Sequence, residues 1–403
     1  MFNQITTKEW DKVSYQTLGL NQEHAKKFQK FLEEKQLTHA LDFGLEGITT
    51  CAHVGIIRFA DFQLNILPKI IGEEDSLCLE NLMFMLRYTR KLEIHSMDSA
   101  EISQTKQPFL EVLIAHYANI LLNALQRHIP HQYETREDNL PTVKGRILFA
   151  KNHLVNAANL ARTYCQFDEF TPDNILNQTL KFVTHSLQGL TTVSQTRQKL
   201  LKIKAIYDEV SLRPVSYTET QKIILNRNQT MFKEPLELAQ MFLQHSTISL
   251  HNHTFTNLAI LFDMNKLFEE FVATALEQAF PGQVKIQNKL KIIEDIDGIP
   301  GTSYTIRPDI LFGKDTIIDT KYKRLSLPED KPSEADIYQM LAYNRFYNRK
   351  NIILCYPMTD EYYPRTTILE KKSISLMLLT LNIHQLLTKN NLNHIIYELM
   401  KRL

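Results

Sequence analysis

Apolar and polar positions change period along the 403-residue chain, and the changes mark its elements. Residues 1–72 are punctuated by Gly44, Gly47 and Gly55 and read as mixed structure with short strands. Val54-Gly55-Ile56-Ile57-Arg58-Phe59 and Phe62-Gln63-Leu64-Asn65-Ile66-Leu67 are β-rich runs joined by a turn at Ala60-Asp61. The second run alternates apolar and polar side chains, which predicts a strand with one buried face, ended by Pro68. From Ser76 to about Arg127 the apolar residues take helical spacing, as in Leu79, Leu82 and Leu86, then Phe109, Val112, Leu113 and Tyr117. A polar link, 131–141, precedes Val143-Lys144-Gly145-Arg146-Ile147, and helices resume over about 172–201. Residues 257–280 read as one helix, with Leu267, Phe271 and Leu276 apolar and Pro281-Gly282 as its stop. Three strands follow, at 284–293, 303–312 and 316–322, then a helix over 333–347 and a short buried strand over 351–356. These periods predict an α+β N-terminal region of short strands and helices over 1–250, divisible near residue 72, followed by an α/β domain over 251–403.

Composition narrows the classes. Hydrophobic residues make up 43% and charged residues 23%, enough for ordinary globular cores. Lys+Arg is 46 and Asp+Glu is 45, a net charge of +1, and neither part of the chain is strongly basic. A chain that binds nucleic acid unaided usually carries a basic stripe. The basic stretch 197–227 reads as a solvated helix face and a connector, with a basic contact surface for DNA or a partner as the alternative. The 11 glycines form neither Gly-x-x-x-x-Gly-Lys-[Ser/Thr] nor Gly-x-Gly-x-x-Gly, so the two common glycine-built nucleotide cradles are missing. Cys51, Cys78, Cys165 and Cys355 stand far apart, which argues against a zinc ribbon or a disulfide framework and fits a reducing cytoplasm. Met1-Phe2-Asn3-Gln4 starts no signal pattern, and the apolar run 374–381 is too short to span a bilayer, so no membrane role is expected.

The chemistry concentrates in Arg307-Pro308-Asp309, Gly313-Lys314-Asp315 and Asp319-Thr320-Lys321. Two β-rich runs flank the glycine-containing turn, so a hairpin is expected. With a three-residue loop at 313–315, position 309 falls opposite 319, and Lys321 shares that face. A two-residue loop would instead place the two aspartates on opposite faces. Opposed carboxylates repel across a sheet, so a cation between them is the natural occupant. Mg²⁺ suits oxygen ligands and accepts one or two carboxylates plus waters and phosphate oxygens. Ser333 can cap the following helix with Asp336 at the capping-box position, and Asp336, Gln339 and Tyr343 share one helix face. A plain alternative remains for each feature: surface aspartates near a turn, and a solvated polar stripe. His251-Asn252-His253 is not the dispersed HNH nuclease signature, and the acidic run 294–298 reads as a solvated turn. Trp10 and Tyr362-Tyr363 read as packing residues.

Pro308-Asp309, Asp319-Thr320-Lys321 and the helix bearing Gln339 and Tyr343 together resemble the PD-(D/E)xK restriction-endonuclease core. Further segments resemble McrC proteins, the nuclease subunits of McrBC 5-methylcytosine restriction systems. They are Asn65-Ile66-Leu67-Pro68-Lys69-Ile70, Lys144-Gly145-Arg146-Ile147, residues 167–174, residues 261–269, residues 336–343 and Leu354-Cys355-Tyr356-Pro357, in that order. The resemblance implies a Mg²⁺-dependent endonuclease that cuts double-stranded, methylated DNA with a partner, a hexameric McrB-like AAA+ GTPase. It implies Asp309 and Asp319 as metal ligands and Lys321 as the catalytic lysine. Glu269, with Glu270 as the register alternative, is the upstream helix acid, and Gln339 is a supporting residue. Docking on the ring is assigned to the N-terminal part, with Lys144 and Arg146 as its candidates, although a β-turn beside Gly145 explains them equally well. The rival readings are a stand-alone repair or junction nuclease of the same superfamily and a non-catalytic GTPase-activating adaptor. The even charge adds one expectation: the isolated chain binds DNA weakly, because few phosphate contacts release counterions. A tight, salt-sensitive complex with unmodified duplex in a titration would contradict it.

Overall fold

The computed structural model describes residues 3–69, 75–89, 108–249, 254–293, 304–323, 332–357, 365–369 and 374–381. His251-Asn252-His253, the acidic run 294–298 and Tyr362-Tyr363 lie outside the described residues. The chain forms two compact units, one of Met1–Lys106 with Ala259–Leu403 and one of Gln107–Leu258. The division does not follow the cut expected at residue 250, because the first hundred residues fold with the C-terminal part.

In its first pass through unit 1 the chain forms β1 (Asn3–Lys8), β2 (Lys12–Ser14), β3 (Leu41–Phe43), β4 (Gly47–Thr50), β5 (His53–Phe59) and β6 (Phe62–Leu67). β1 runs parallel to β6, β6 pairs antiparallel with β5, and β2, β4 and β3 make a separate antiparallel sheet. The β5–β6 hairpin turns at Ala60-Asp61 as expected, with Ala60 at φ 48°. β6 departs from its alternating pattern: all six residues are buried, polar Gln63 and Asn65 included. It is an interior strand, and Gln63 Nε2 donates to Asn65 Oδ1 at 3.2 Å, so the buried amides support each other. The helix Gln22–Glu34 starts where Asn21 accepts from the His24 N–H, and its Phe28, Phe31 and Leu32 pack on Ile57, Phe59, Phe62 and Leu64. Each such fully buried side chain contributes about 1.5–3 kcal/mol.

Unit 2 contains β7 (Gln132–Leu140), β8 (Arg146–Ile147) and β9 (Thr163–Thr171), in the order β7-β9-β8, both pairings antiparallel. The expected polar link is therefore mostly strand, held by backbone pairing to β9 rather than by a buried face. The helices Phe109–Arg127, Ile175–Gln188, Ser194–Ile206 and Lys233–His245 pack together in the same unit. Phe109–Arg127 is long and apolar enough to cross a bilayer by composition, but it is a core helix whose apolar window is 67% buried. β10 (Ser246–Ser249) pairs with the first half of β11 (Thr254–Asp263), the strand in which the chain returns to unit 1.

β11 corrects the single helix expected over 257–280. Its run Leu258-Ala259-Ile260-Leu261 is apolar without a helical period, and such runs fit a buried strand equally well. It lies beside β5, where Gly55 has φ 136° and an added Cβ would come within 2.1 Å of the Ile260 carbonyl oxygen. The helix starts at Met264 and runs to Ala279, capped by Asp263, whose Oδ1 accepts from the Asn265 N–H at 3.0 Å. After it come β12 (Val284–Ile286), β13 (Leu290–Ile293), β14 (Tyr304–Ile306), β15 (Ile310–Phe312), β16 (Thr316–Thr320), β17 (Asn351–Pro357), β18 (Arg365–Leu369) and β19 (Ile374–Leu381). Six of them form one mixed sheet, ordered β12-β15-β16-β17-β19-β18, with β16, β17 and β19 parallel. The strands expected over 284–293 and 303–312 are each broken in two, the first at Gln287 with φ 49°. The helix Glu334–Tyr347 joins β16 to β17, and its Met340 and Tyr343 pack on Ile317, Ile352 and Leu354.

Two N-terminal residues differ from expectation or extend it. Trp10 is 55% exposed at φ 66°, not packed, because it sits in the left-handed turn after β1. Glu9 beside it is wholly buried, and its Oε2 accepts from the Tyr322 hydroxyl and the Lys69 N–H, both at 3.0 Å. Burial pushes the Glu9 carboxyl up to about 7. The folded chain therefore holds this proton more tightly than the unfolded chain. The resulting stability is complete at pH values below the ordinary glutamate range and is lost as pH rises through about 7. Glu9→Gln is expected to flatten that fall, by on the order of 3 kcal/mol over the full window. Denaturant melts at about pH 5 and about pH 8 check it, and equal pH slopes in both proteins would refute it.

Candidate active site

The site grows from the β15–β16 hairpin. Phe312 pairs with Thr316, Leu311 with Ile317 and Ile310 with Ile318, so the loop holds the three residues 313–315. Gly313 takes φ 53° there, and β16 is buried throughout. Asp309 lies one residue before β15, and its carboxylate is held at the end of the hairpin. Its Oδ2 accepts from the Thr320 N–H at 2.7 Å and the Thr320 hydroxyl at 2.8 Å. Asp319 is 1% exposed, and the Lys321 ammonium stands 2.7 Å from its Oδ2. The structure brings Asp309, Asp319 and Lys321 together: all three line one open cleft of about 330 Å³.

Two helices complete the cleft. From Met264–Ala279 comes Glu269, which lines it; Glu270, the register alternative, does not. From Glu334–Tyr347 come Gln339 and Tyr343. Lys321 Nζ donates to Gln339 Oε1 at 2.9 Å, Gln339 Nε2 donates to the Tyr343 hydroxyl at 2.7 Å, and that hydroxyl donates to the Arg307 carbonyl at 3.0 Å. Ser333 caps this helix by accepting from the Asp336 N–H at 3.1 Å, but the Asp336 carboxylate is taken by Lys323 at 3.2 Å. Asp336 thus belongs to the charge network rather than to a capping box.

Burial and charge set the acids apart. Burial, then the charge of Asp309, pushes the Asp319 carboxyl up to about 6, against the pull of Lys321. Burial also raises Glu269, opposed by a hydrogen bond from Gln287 Nε2 at 2.8 Å and reinforced by Asp309. Among the described residues no three His, Cys, Asp or Glu side chains converge to hold a metal by themselves. The acidic pair instead matches the one or two carboxylates that Mg²⁺ takes alongside waters and phosphate oxygens. A divalent cation beside the pair would offset the repulsion that raises Asp319.

Reading the sequence missed Gln287 and Lys323 outright, and gave Thr320 and Arg307 no role of their own although both stood in the quoted segments. Thr320 stood inside the Asp-x-Lys motif and could have been found there; Gln287 gave no signal, because nothing in 284–293 announced a break. Lys144 and Arg146 belong to unit 2 and are not among the residues that line this cleft. The Lys144 ammonium sits 4.1 Å from the Phe167 ring centre and 3.9 Å from Glu169, and Arg146 is exposed on β8. Between them Gly145 has φ 68°, and an added Cβ would meet the Gln166 carbonyl at 2.4 Å, so the turn needs glycine.

The fold and the site together define a mixed α/β unit whose hairpin brings two aspartates and a lysine into a cleft. Residues 48–357 match the model of the McrBC 5-methylcytosine restriction system component family. The chain belongs to that family, which bears out the resemblance read from its sequence. Among solved structures it is similar to a chain of the Thermococcus gammatolerans half-complex of McrB AAA+ hexamers with bound McrC, refined from a tetradecameric assembly. The TM-score is 0.77 at 18% identity, covering 98% of this chain and 100% of that one. It is also similar to a chain of the cryo-EM structure of the Thermococcus gammatolerans McrBC complex, with TM-score 0.54 at 20% identity over 68% of this chain and 88% of that one. At these identities the likeness is one of fold. No curated protein matches the chain.

The Tyr343 hydroxyl is the node between helix and hairpin. Tyr343→Phe removes the partner of a part-buried amide and of a carbonyl, and is expected to cost about 1 kcal/mol. Urea unfolding of the two proteins measures it, and an unchanged midpoint would refute the linkage.

Proposed function

We propose that this protein is the cytoplasmic nuclease subunit of a McrBC-like, modification-dependent restriction system: a Mg²⁺-dependent endodeoxyribonuclease with a PD-(D/E)xK-like core. The observation that carries the reading is the meeting of Asp309, Asp319 and Lys321 at one hairpin end, with Lys321 2.7 Å from Asp319, in a member of this family. Asp309 and Asp319 hold the ion, and Glu269 stands beside them as the helix acid. When bound, Mg²⁺ polarises the scissile phosphate and lowers the pKa of a coordinated water. Lys321 orients the attacking water or offsets charge developing on the phosphate. Gln339 holds the lysine in place through its 2.9 Å bond, and Tyr343 holds Gln339.

The proposed partner is a hexameric McrB-like AAA+ GTPase that presents methylated double-stranded DNA. Unit 2 supplies the docking surface: its β7-β9-β8 sheet exposes Tyr133 and Phe170, with Lys144 and Arg146 at the turn beside it. The support is the exposure of these aromatic and basic groups, together with the complexes formed by the structurally similar proteins.

Asp309→Ala and Lys321→Ala are expected to abolish DNA cleavage while partner binding and stimulation of partner GTP hydrolysis persist. A cleavage assay with partner, GTP and Mg²⁺, run beside a phosphate-release assay, tests this. Full cutting by either variant would overturn the assignment.

A further inference from the structure

Gln287 follows β12, whose pairing with β15 ends at Ile286 and Ile310. Its φ of 49° is left-handed, a conformation that side chains other than glycine rarely adopt and that concentrates at functional positions. From there the residue makes two bonds to two different acids of the cleft. Its backbone N–H donates to the Asp309 carbonyl at 2.8 Å, and its Nε2 donates to Glu269 Oε1 at 2.8 Å.

We infer that Gln287 is a positioning residue that fixes the helix acid Glu269 against the hairpin acid Asp309, setting both carboxylates for a divalent cation. The inference rests on the metal-site reading above. Asp309 is gripped from two sides: Gln287 holds its carbonyl and Thr320 holds its carboxylate, so its backbone cannot turn without breaking one of them. Glu269 comes from another element, the helix Met264–Ala279, and the Gln287 amide is what ties it to the hairpin end. A neutral amide suits this task. It occupies one carboxylate oxygen and leaves the other for a ligand, whereas an ammonium would compete with the cation and a carboxylate would repel Glu269. The left-handed backbone lets one residue bond both ways. Hydrogen-bonded partners that orient ligands in this manner typically alter metal affinity or activity 10–100-fold.

The test uses the full chain. Gln287→Gly keeps the left-handed backbone and the N–H bond to Asp309 while removing the amide; Gln287→Glu keeps the length and adds charge. Mg²⁺ affinity is measured calorimetrically without DNA, thermal stability by circular dichroism, and the Mg²⁺ dependence of cleavage with partner and GTP. Gln287→Gly is expected to weaken Mg²⁺ binding about 10-fold, to leave the melting temperature unchanged, and to recover cleavage at raised Mg²⁺. Gln287→Glu is expected to bind Mg²⁺ differently from wild type and not to recover in the same way. Wild-type Mg²⁺ affinity in Gln287→Gly would overturn the inference, as would a cleavage loss that raised Mg²⁺ does not reverse. Asp309→Ala separates the two failures. If it loses Mg²⁺ binding while Gln287→Gly keeps it, the positioning role alone falls; if it binds like wild type, the metal site itself falls.

Discussion

The constraint from which this site follows is the repulsion between two carboxylates at one hairpin end, one of them almost out of water. Two unit charges ~5 Å apart repel by about 3 kcal/mol at an effective dielectric of about 20. Each remaining contact answers that repulsion. Thr320 donates twice to Asp309, and Lys321 faces Asp319. Gln339 holds the lysine, Tyr343 holds Gln339, and the Tyr343 hydroxyl returns to the carbonyl of Arg307, two residues before Asp309. The contacts form a closed circuit through the hairpin and one helix. In such networks the members polarise and brace one another, so each bond is worth more in place than alone. The Lys321 ammonium, on a long flexible side chain, is thereby held by Asp319 and Gln339 together.

The circuit is braced from behind by the N-terminal strands. Glu9 is buried with Tyr322, the residue after Lys321, and the Tyr322 ring packs 6.1 Å from Phe268, the residue before Glu269. One tyrosine thus touches the start of the chain and the acid-bearing helix. Together with the pairing of β11 beside β5, this contact joins residues 1–106 and 259–403 in one unit. The strands β1, β5 and β6 are part of the support for the cleft, and the C-terminal part is not a self-contained block with a docking region attached in front.

Legibility in the sequence tracked how local each cause is. The hairpin was readable because Gly313 marks the turn between two β-rich runs, and the period of two left only the loop length to select the register, which the pairing of Phe312 with Thr316 settles. The helix Glu334–Tyr347 was readable because Ser333 marks its start and Asp336, Gln339 and Tyr343 recur on one face. β11 was misread because Leu258-Ala259-Ile260-Leu261 is apolar on every side, and only its place beside β5 makes it a strand. β7 was passed over because it buries little, and its partner β9 lies some thirty residues on. The compact units divide elsewhere than at residue 250, and a buried bond between Glu9 and Tyr322, 313 residues apart, shows why that is hard to read: it leaves no trace in either local sequence. Of the site, the hairpin acids and lysine could be read, while the Gln287 and Arg307 contributions depend on how separate elements meet.

The even charge of the chain has its counterpart inside the cleft. Its lining includes three acids, Glu269, Asp309 and Asp319, and three cations, Arg307, Lys321 and Lys323. Lys321 is paired with Asp319 and Lys323 with Asp336. Arg307 makes no hydrogen bond or ion pair through its guanidinium among the described residues, and its charge acts on Glu269 from a distance. A cleft balanced in this way draws a phosphodiester weakly by its own field. On the proposed function, two things tip the balance: a divalent cation on the acidic pair, and a partner that holds the DNA. Arg307, whose planar fork suits phosphate oxygens, is then the cation on the rim with its donors still open to the substrate. On that reading the cleft stays inert toward DNA until both have arrived, and cutting is coupled to the partner's presence.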